Sequence, residues 1–273
     1  MYPTIEFFSI QIYTFGFILA CTWLLFISLL HKFAHKKGII RPIFSDIATF
    51  TLSILFFARV FHILADWVNE KFIFEYLFHG EFIDFFRLFF IPPNYLFSFF
   101  GWAFGFMLVF YIKTRTNVEA RPKYLEAIVY AFLWASILWY FWSFLWGQVY
   151  GIPFDSFISV SYRHADSIVK DSVPLFPLAP FYMILSGVIL AGLILAGKKH
   201  HFPEWFLWYV GIGCFSLVLF FWEFLSGSRS DIFYDLVLIM THGFFWMSLN
   251  QIGSLIGLSI SIWWILRITE HEI

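Results

Sequence analysis

Apolar positions run along this chain in long blocks, broken by short charged stretches. Seven blocks approach the about 20 mostly apolar residues that a membrane helix needs. They cover residues 7–30, 45–67, 95–112, 124–146, 175–196, 205–225 and 247–266. Hydrocarbon offers the backbone no hydrogen bonds, so each block is predicted as a helix that satisfies its own peptide groups. The expected fold is an all-α integral membrane protein, one polytopic domain over residues 1–273 with seven transmembrane helices. Two intervening segments are larger than connectors. Residues 69–94 mix charges with many Phe and read as an amphipathic arm lying in the membrane interface. Residues 152–174 are polar, with Arg163, His164, Asp166, Lys170 and Asp171, and read as a small extracytoplasmic cap or loop.

The basic residues alternate with the blocks. Lys32, Lys36, Lys37 and Arg41 follow the first block, and Lys113, Arg115, Arg121 and Lys123 follow the third. Lys198 and Lys199 follow the fifth, and Arg267 follows the seventh. Eleven of the 17 Lys and Arg residues thus gather on one side, which the positive-inside rule assigns to the cytoplasm. The N-terminus is then expected outside and the C-terminus inside.

Composition agrees with the blocks. The chain is 61% hydrophobic and 13% charged, about half the roughly 25% charged residues of a soluble domain. A net charge of −1 supplies no basic field for nucleic acid. Cys21 and Cys214 sit in apolar runs and suggest neither a disulfide framework nor a zinc site. His242 and the pair His200–His201 lack a matching ligand constellation, so neither metal nor cofactor is expected. "FGFILAC" at 15–21 faintly resembles a lipoprotein cleavage box. The preceding residues carry Glu6 and no Lys or Arg, so residues 1–30 read as mature chain and a first span.

Ionisable groups inside hydrocarbon are expensive and mark function by default. Arg59, His62 and Asp66 lie three and seven residues apart, on one helix face. They form either a charged wall for a lipid headgroup or an internal Arg–carboxylate pair; a proton relay through His62 is a third option. Glu126 reads as a carboxylate in the first turn of its helix, favoured there by the dipole. Glu223 sits at the end of the sixth block, just before Arg229 and Asp231. It either reaches water at the interface or orients a cationic group. Ser248, Asn250 and Gln251 open the last block; polar amides there bond across helices, and Gly253 and Gly257, four apart, favour close packing.

Taken together these residues resemble the prolipoprotein diacylglyceryl transferase family of bacterial membrane enzymes. "IQIYTFGFILA" resembles the start of the family's first span, with Phe15 and Gly16 on its Tyr-Gly positions. "ARVFHIL" resembles its Gly-Gly-Arg-x-Gly-Tyr segment, with Arg59 on the Arg. "SFFGWAFG" resembles Ser-Phe-His-Gly-Gly through Ser98, Phe99 and Gly101, with Phe100 on the His. "EFLSGSRSD" matches Glu-Phe-x-Arg-x-x-Asp at Glu223 and Phe224, and "SLNQIGS" matches Ser-Met-Gly-Gln-x-x-Ser at Ser248, Gln251 and Ser254. "WYFWSFLWGQVYG" falls on the family's central signature. It keeps Phe144, Gly147 and Gly151 but has Tyr140 on the Arg, Ser143 and Trp146 on the two Asn, and Gln148 on the Glu. Leu219 and Ser226 also stand on Arg positions.

The resemblance implies a bacterial inner-membrane protein whose lipid is phosphatidylglycerol. Its partner would be a preprolipoprotein bearing a lipobox, or another membrane protein. Transfer of a diacylglyceryl group to a cysteine thiol needs cations on the leaving phosphate and a base for the thiol proton. Tyr140 cannot neutralise a phosphate, and Phe100 can do no proton chemistry. Three readings follow. The first is a relative with a degenerate site that keeps a lipid-binding fold, using Arg59, Tyr140, Ser143, Gln148, Glu223 and Gln251. The second is an active transferase with a rearranged site, in which Arg59 and Arg229 hold phosphate and Glu223, His62 or Tyr140 assist. The third is a transporter-like protein using Arg59, His62 and Asp66.

Overall fold

The computed structural model describes residues 4–7, 10–39, 46–65, 72–90, 99–147, 149–162, 173–199, 202–203, 205–227 and 249–272. A short antiparallel hairpin comes first, β1 (Thr4–Phe7) against β2 (Ile10–Tyr13), with Ile5 opposite Ile12. Helix α1 (Thr14–Lys36) follows it directly. The first span was expected to begin at residue 7. The alternating, β-branched "TIEF" and "IQIY" pair as strands instead, and the helix shifts toward its basic end.

The remaining blocks fold as helices close to their expected bounds. These are α2 (Ile47–Ala65), α5 (Phe99–Thr114), α6 (Arg121–Trp146), α7 (Leu178–Lys199), α8 (Phe206–Trp222) and α9 (Leu249–Glu272). Within the predicted arm lie two short helices, α3 (Phe72–Phe78) and α4 (Phe82–Phe90). Among the described residues, four helical segments are long and apolar enough to cross a membrane: Phe17–Lys36, Val118–Leu145, Leu178–Lys199 and Phe206–Leu225. Shorter apolar helices cover Ile47–Ile63, Gly101–Thr114 and Gln251–Arg267. The chain is an α-helical membrane protein.

The helices group into two compact units. In the unit of residues 41–121, α2 and α5 pack closely. At Gly101 a side-chain carbon would fall far inside van der Waals contact with the Phe57 carbonyl oxygen, and at Gly105 it would sit 2.6 Å from that of Ser53. The Ser53 hydroxyl donates to the Gly105 carbonyl at 3.0 Å, sealing the crossing. Small residues at this four-residue spacing let membrane helices approach backbone to backbone. The arm helices pack on α2 through Ile63, Ile73 and Phe89, with Phe74, Phe85 and Leu88 around them. Phe82, Ile83 and Phe86 of α4 stay exposed beside Asp84 and Arg87.

Asp46 begins α2 as its N-cap. Its carboxylate accepts from the Thr49 backbone N–H at 3.3 Å, the Thr49 hydroxyl at 2.7 Å and Lys113 Nζ at 2.7 Å. Lys113 above all, then Thr49, holds its pKa down at about 2, below the ordinary 3.8. A depressed carboxyl pKa favours the folded state above the unfolded value, and that contribution is lost as the pH falls toward the folded one. The capping interaction should therefore fade between about pH 4 and about pH 2. Lys113→Met should move the Asp46 midpoint, read by NMR, up toward the ordinary value. A midpoint unchanged in the variant would show that Lys113 does not hold it.

The other unit, residues 1–40 with 122–273, holds α1 and α6 to α9. Its core includes Val129, Leu133, Leu190, Leu193, Leu207 and Phe215. Glu126 was expected to serve the first turn of α6. That helix begins earlier, at Arg121, so Glu126 lies beyond the first turn; it is buried and pairs with Lys37 Nζ, in the turn just after α1. Between α8 and α9, Gly257 meets Ser216 and Gly213 meets Ser261, the close packing expected around Gln251.

Candidate functional site

The candidate site lies in the second of these units, where α6 ends and α7 begins. Helix α6 stops at Gly147, which takes a φ of 72°, a conformation that suits glycine. The chain then forms a three-stranded junction. Gly151 N–H donates to the Phe176 carbonyl at 2.9 Å, and Ile152 N–H donates to the Leu225 carbonyl at 2.9 Å. Gly227 N–H donates to the Tyr150 carbonyl at 3.0 Å. Residues 150–152 thus run between the segment before α7 and the segment after α8. A side-chain carbon on Gly151 would lie 2.6 Å from Phe176 Cβ and 2.7 Å from its carbonyl oxygen, so only glycine fits. Beside the junction, Phe181 stacks on both Phe176 and Trp222, with centroids 4.9 Å away in each case. These contacts seat the end of α8, where Glu223 begins a single 3₁₀ turn.

Four side chains meet the interior here. Tyr140 on α6 stacks on Tyr182 of α7 at 4.9 Å. Ser143 lies three residues after Tyr140, on the same face of α6 and nearer the junction. Glu223, 7% exposed, begins the 3₁₀ turn that closes α8. Ser143 and Tyr182 are each 3% exposed, and neither hydroxyl has a hydrogen-bond partner among the described residues. A buried hydroxyl left without a partner costs about 1–3 kcal/mol. A polar guest or ordered water that bonded to either would recover its cost. Gln251 of α9 is fully buried, and its Nε2 donates to the Phe220 carbonyl at 3.4 Å, one turn before Glu223. It braces α9 against α8 beside the site.

Arg59 belongs to the other unit. It is 1% exposed on α2, and its Nη2 donates to the Leu88 carbonyl of α4 at 3.4 Å. His62 lies one turn further along α2 and is half-buried. Several expected site residues, Asp66, Ser98, Gln148, Arg229 and Ser248, lie outside the described residues, as do the side chains of Phe100 and Trp146. Of the remaining expectations, the structure brings Tyr140, Ser143 and Glu223 to one end of one helical unit.

Tyr182 was not singled out in the sequence. Its signal is weak: one phenol in the apolar run "LAPFYMILSG". The pairing with Tyr140 spans 42 residues and depends on α6 and α7 lying side by side. Tyr140 also packs with Leu219 and other apolar side chains of the core. Among the described residues, no group of three or more His, Cys, Asp or Glu side chains is arranged to hold a metal ion. No protein-family model matches this chain, and no curated protein matches it.

Proposed function

We propose that this chain is a multi-pass protein of the bacterial cytoplasmic membrane that binds a phospholipid headgroup without transferring its diacylglyceryl moiety. On this reading it is a degenerate relative of the prolipoprotein diacylglyceryl transferases, with seven spans, the N-terminus outside and the site facing the outer leaflet. One observation carries the binding function. Two buried hydroxyls, Ser143 and Tyr182, lack partners among the described residues, at the end of the helices where Glu223 and Gln251 are also buried. The distribution of charge supports the orientation. Among the described residues of that unit, the Lys and Arg residues lie at the opposite ends of α1, α6, α7 and α9.

The absence of transfer rests on the residues that replace the family pattern. Tyr140 stacks on Tyr182 where a guanidinium would meet the phosphate, and a neutral phenol cannot balance a leaving phosphate. Loss of one such donor costs roughly 10²–10³ in rate, and here several are replaced. The second reading is an active enzyme that uses Arg59 and Arg229 as its cations.

One assay separates the two. The purified protein is given phosphatidylglycerol and a lipobox peptide, and thioether formation at the cysteine is followed. The proposal expects none from folded, lipid-bound protein. Product that disappears in Arg59→Ala and in Arg229→Ala would establish the rearranged enzyme instead. Proton or solute flux in liposomes that vanishes in Asp66→Asn would favour the transporter-like reading.

A further inference from the structure

Residues 163–172 of the expected cap lie outside the described residues. The described part, residues 152–160, is a fastened loop with an apolar tip. Phe154 N–H donates to the Pro174 carbonyl at 2.9 Å, and Val160 and Leu175 exchange both of their backbone bonds at 2.9 Å. The two limbs of the loop are thus tied to one segment, the residues just before α7. At the tip, Ser159 N–H donates to the Ser156 carbonyl at 3.0 Å and closes a tight turn with Phe157 and Ile158 in its middle. Ile158 packs onto the cluster of Phe176, Leu178 and Tyr182. Phe157 does the opposite and is 99% exposed.

The level and the neighbours of the turn show what covers that ring. Leu178 is the first residue of a helix long and apolar enough to cross a membrane, and Tyr182 lies about one turn further in. A turn whose Ile158 packs on their cluster stands at the membrane boundary and not high above it. Ile152 N–H is bonded to the Leu225 carbonyl, which sets the first limb beside the end of α8, where Phe221 and Phe224 are exposed. Exposed apolar side chains are also found along the spans, as at Ile184 and Val188 of α7, and acyl chains cover such surfaces. The loop brings little charge with it, since Asp155 is the one charged residue in 152–160. A protein partner fits the patch less well. Ile152, Phe154 and Phe157 together offer roughly 350 Å² of apolar surface, under half of the about 800 Å² that each side of a stable complex buries.

We infer that the Ser156–Ser159 turn is a membrane anchor. Phe157 enters the acyl boundary of the leaflet at the Glu223 end of the helices, with Ile152 and Phe154 at its edge. On the proposed orientation that is the outer leaflet. Through Ile158 the anchor fixes the depth of the cap against the first turns of α7. It stands on the membrane-spanning fold and not on the headgroup site, so either can fail without the other.

The test places a nitroxide at Phe157→Cys in the full chain, with Cys21→Ala and Cys214→Ala so that no other thiol reacts. The protein is held in nanodiscs of phosphatidylcholine and phosphatidylglycerol. Relaxation of the label by oxygen, which concentrates in lipid, is compared with relaxation by a water-soluble nickel chelate. Gly192→Cys in α7 is the lipid reference, because an added carbon there meets nothing within 4 Å. Asn117→Cys is the water reference, because that residue is exposed and makes no side-chain capping bond. Oxygen should outweigh nickel at 157 as it does at 192, with the order reversed at 117. Nickel outweighing oxygen at 157 would put the turn in water and overturn the anchor. An immobile label reached by neither reagent would overturn it in favour of a covering protein, a second copy or another chain. Phe157→Asp gives an independent readout, since a ring so exposed contributes no packing inside the protein. Amide exchange in α6 to α8 should stay at its native rate in this variant, and exchange at residues 155–158 should rise several-fold in nanodiscs. No rise there would also overturn the anchor.

Discussion

Gly101→Leu should leave little folded protein. The α2–α5 crossing brings the Phe57 carbonyl so close to Gly101 that even one added carbon overlaps it, and the obstacle is backbone, which cannot rotate away. The helices must then separate, and Phe57, Phe104 and Phe106 lose ring contacts that depend on the crossing or on its neighbours. The bond from Ser53 to the Gly105 carbonyl is lost as well. Overpacking of a tight core usually costs about 1–3 kcal/mol, and a clash with rigid backbone belongs at or above the top of that range. The expected outcome is loss of a monodisperse peak in detergent, or a midpoint of thermal unfolding lowered by many degrees. Gly192→Ala is the control. That glycine sits in α7 with nothing within 4 Å of an added carbon, so alanine there should be neutral or gain roughly 0.5–1 kcal/mol. If both variants behaved alike, the close crossing would be wrong.

Gly151→Val should disable the site without removing any of its polar groups. Gly151 is the middle of the three-stranded junction, 2.6 Å from Phe176 Cβ in the sense of an added carbon. A branched side chain there pushes residues 150–152 away from Phe176 and Leu225, breaking hydrogen bonds of 2.9 Å on both sides. Each net hydrogen bond is worth about 0.5–1.5 kcal/mol, and the overlap adds about as much again. Because Leu225 ends the 3₁₀ turn that Glu223 begins, the carboxylate should lose its seat. The variant should keep its helical circular dichroism, show faster proteolysis near residue 151 and retain less phospholipid. Full retention would mean that the junction does not position the site.

The helices were legible because hydrophobic blocks are a local signal. A run of the length in 175–196 can hardly be anything else in lipid, and α7 (Leu178–Lys199) nearly coincides with it. The errors came from neighbouring signals that merge in a smoothed reading. The strand Ile10–Tyr13 is nearly as apolar as the helix after it, so the first block, which begins at residue 7, absorbed it. Glu126 was placed on the right helix, but its partner Lys37 is 89 residues away and could not be inferred from spacing. Gly101 was noticed as a motif residue. Its spacing to Gly105 also announces a close helix crossing, which is what the structure makes of it.

The site was half legible. Tyr140, Ser143 and Glu223 stand out in sequence as polar or replaced positions in apolar blocks. Their meeting with Tyr182 depends on the pairing of α6 with α7 and on the junction at Gly151, neither of which has a local signature. Gly147 and Gly151 show the same division. In sequence they are retained motif residues. In the structure Gly147 ends a helix with positive φ, and Gly151 admits two neighbouring strands.

Lipid retention in a paired variant tests the headgroup site most directly. Ser143→Ala with Tyr182→Phe removes the two buried hydroxyls and changes little else in volume. Freed of lipid, the double variant should be as stable as the native protein or about 1–2 kcal/mol more stable, since hydroxyls without partners are a cost to an empty site. Purified from membranes under the same mild conditions, the native protein should carry a bound phospholipid and the double variant should not. Equal phospholipid on both would contradict the account.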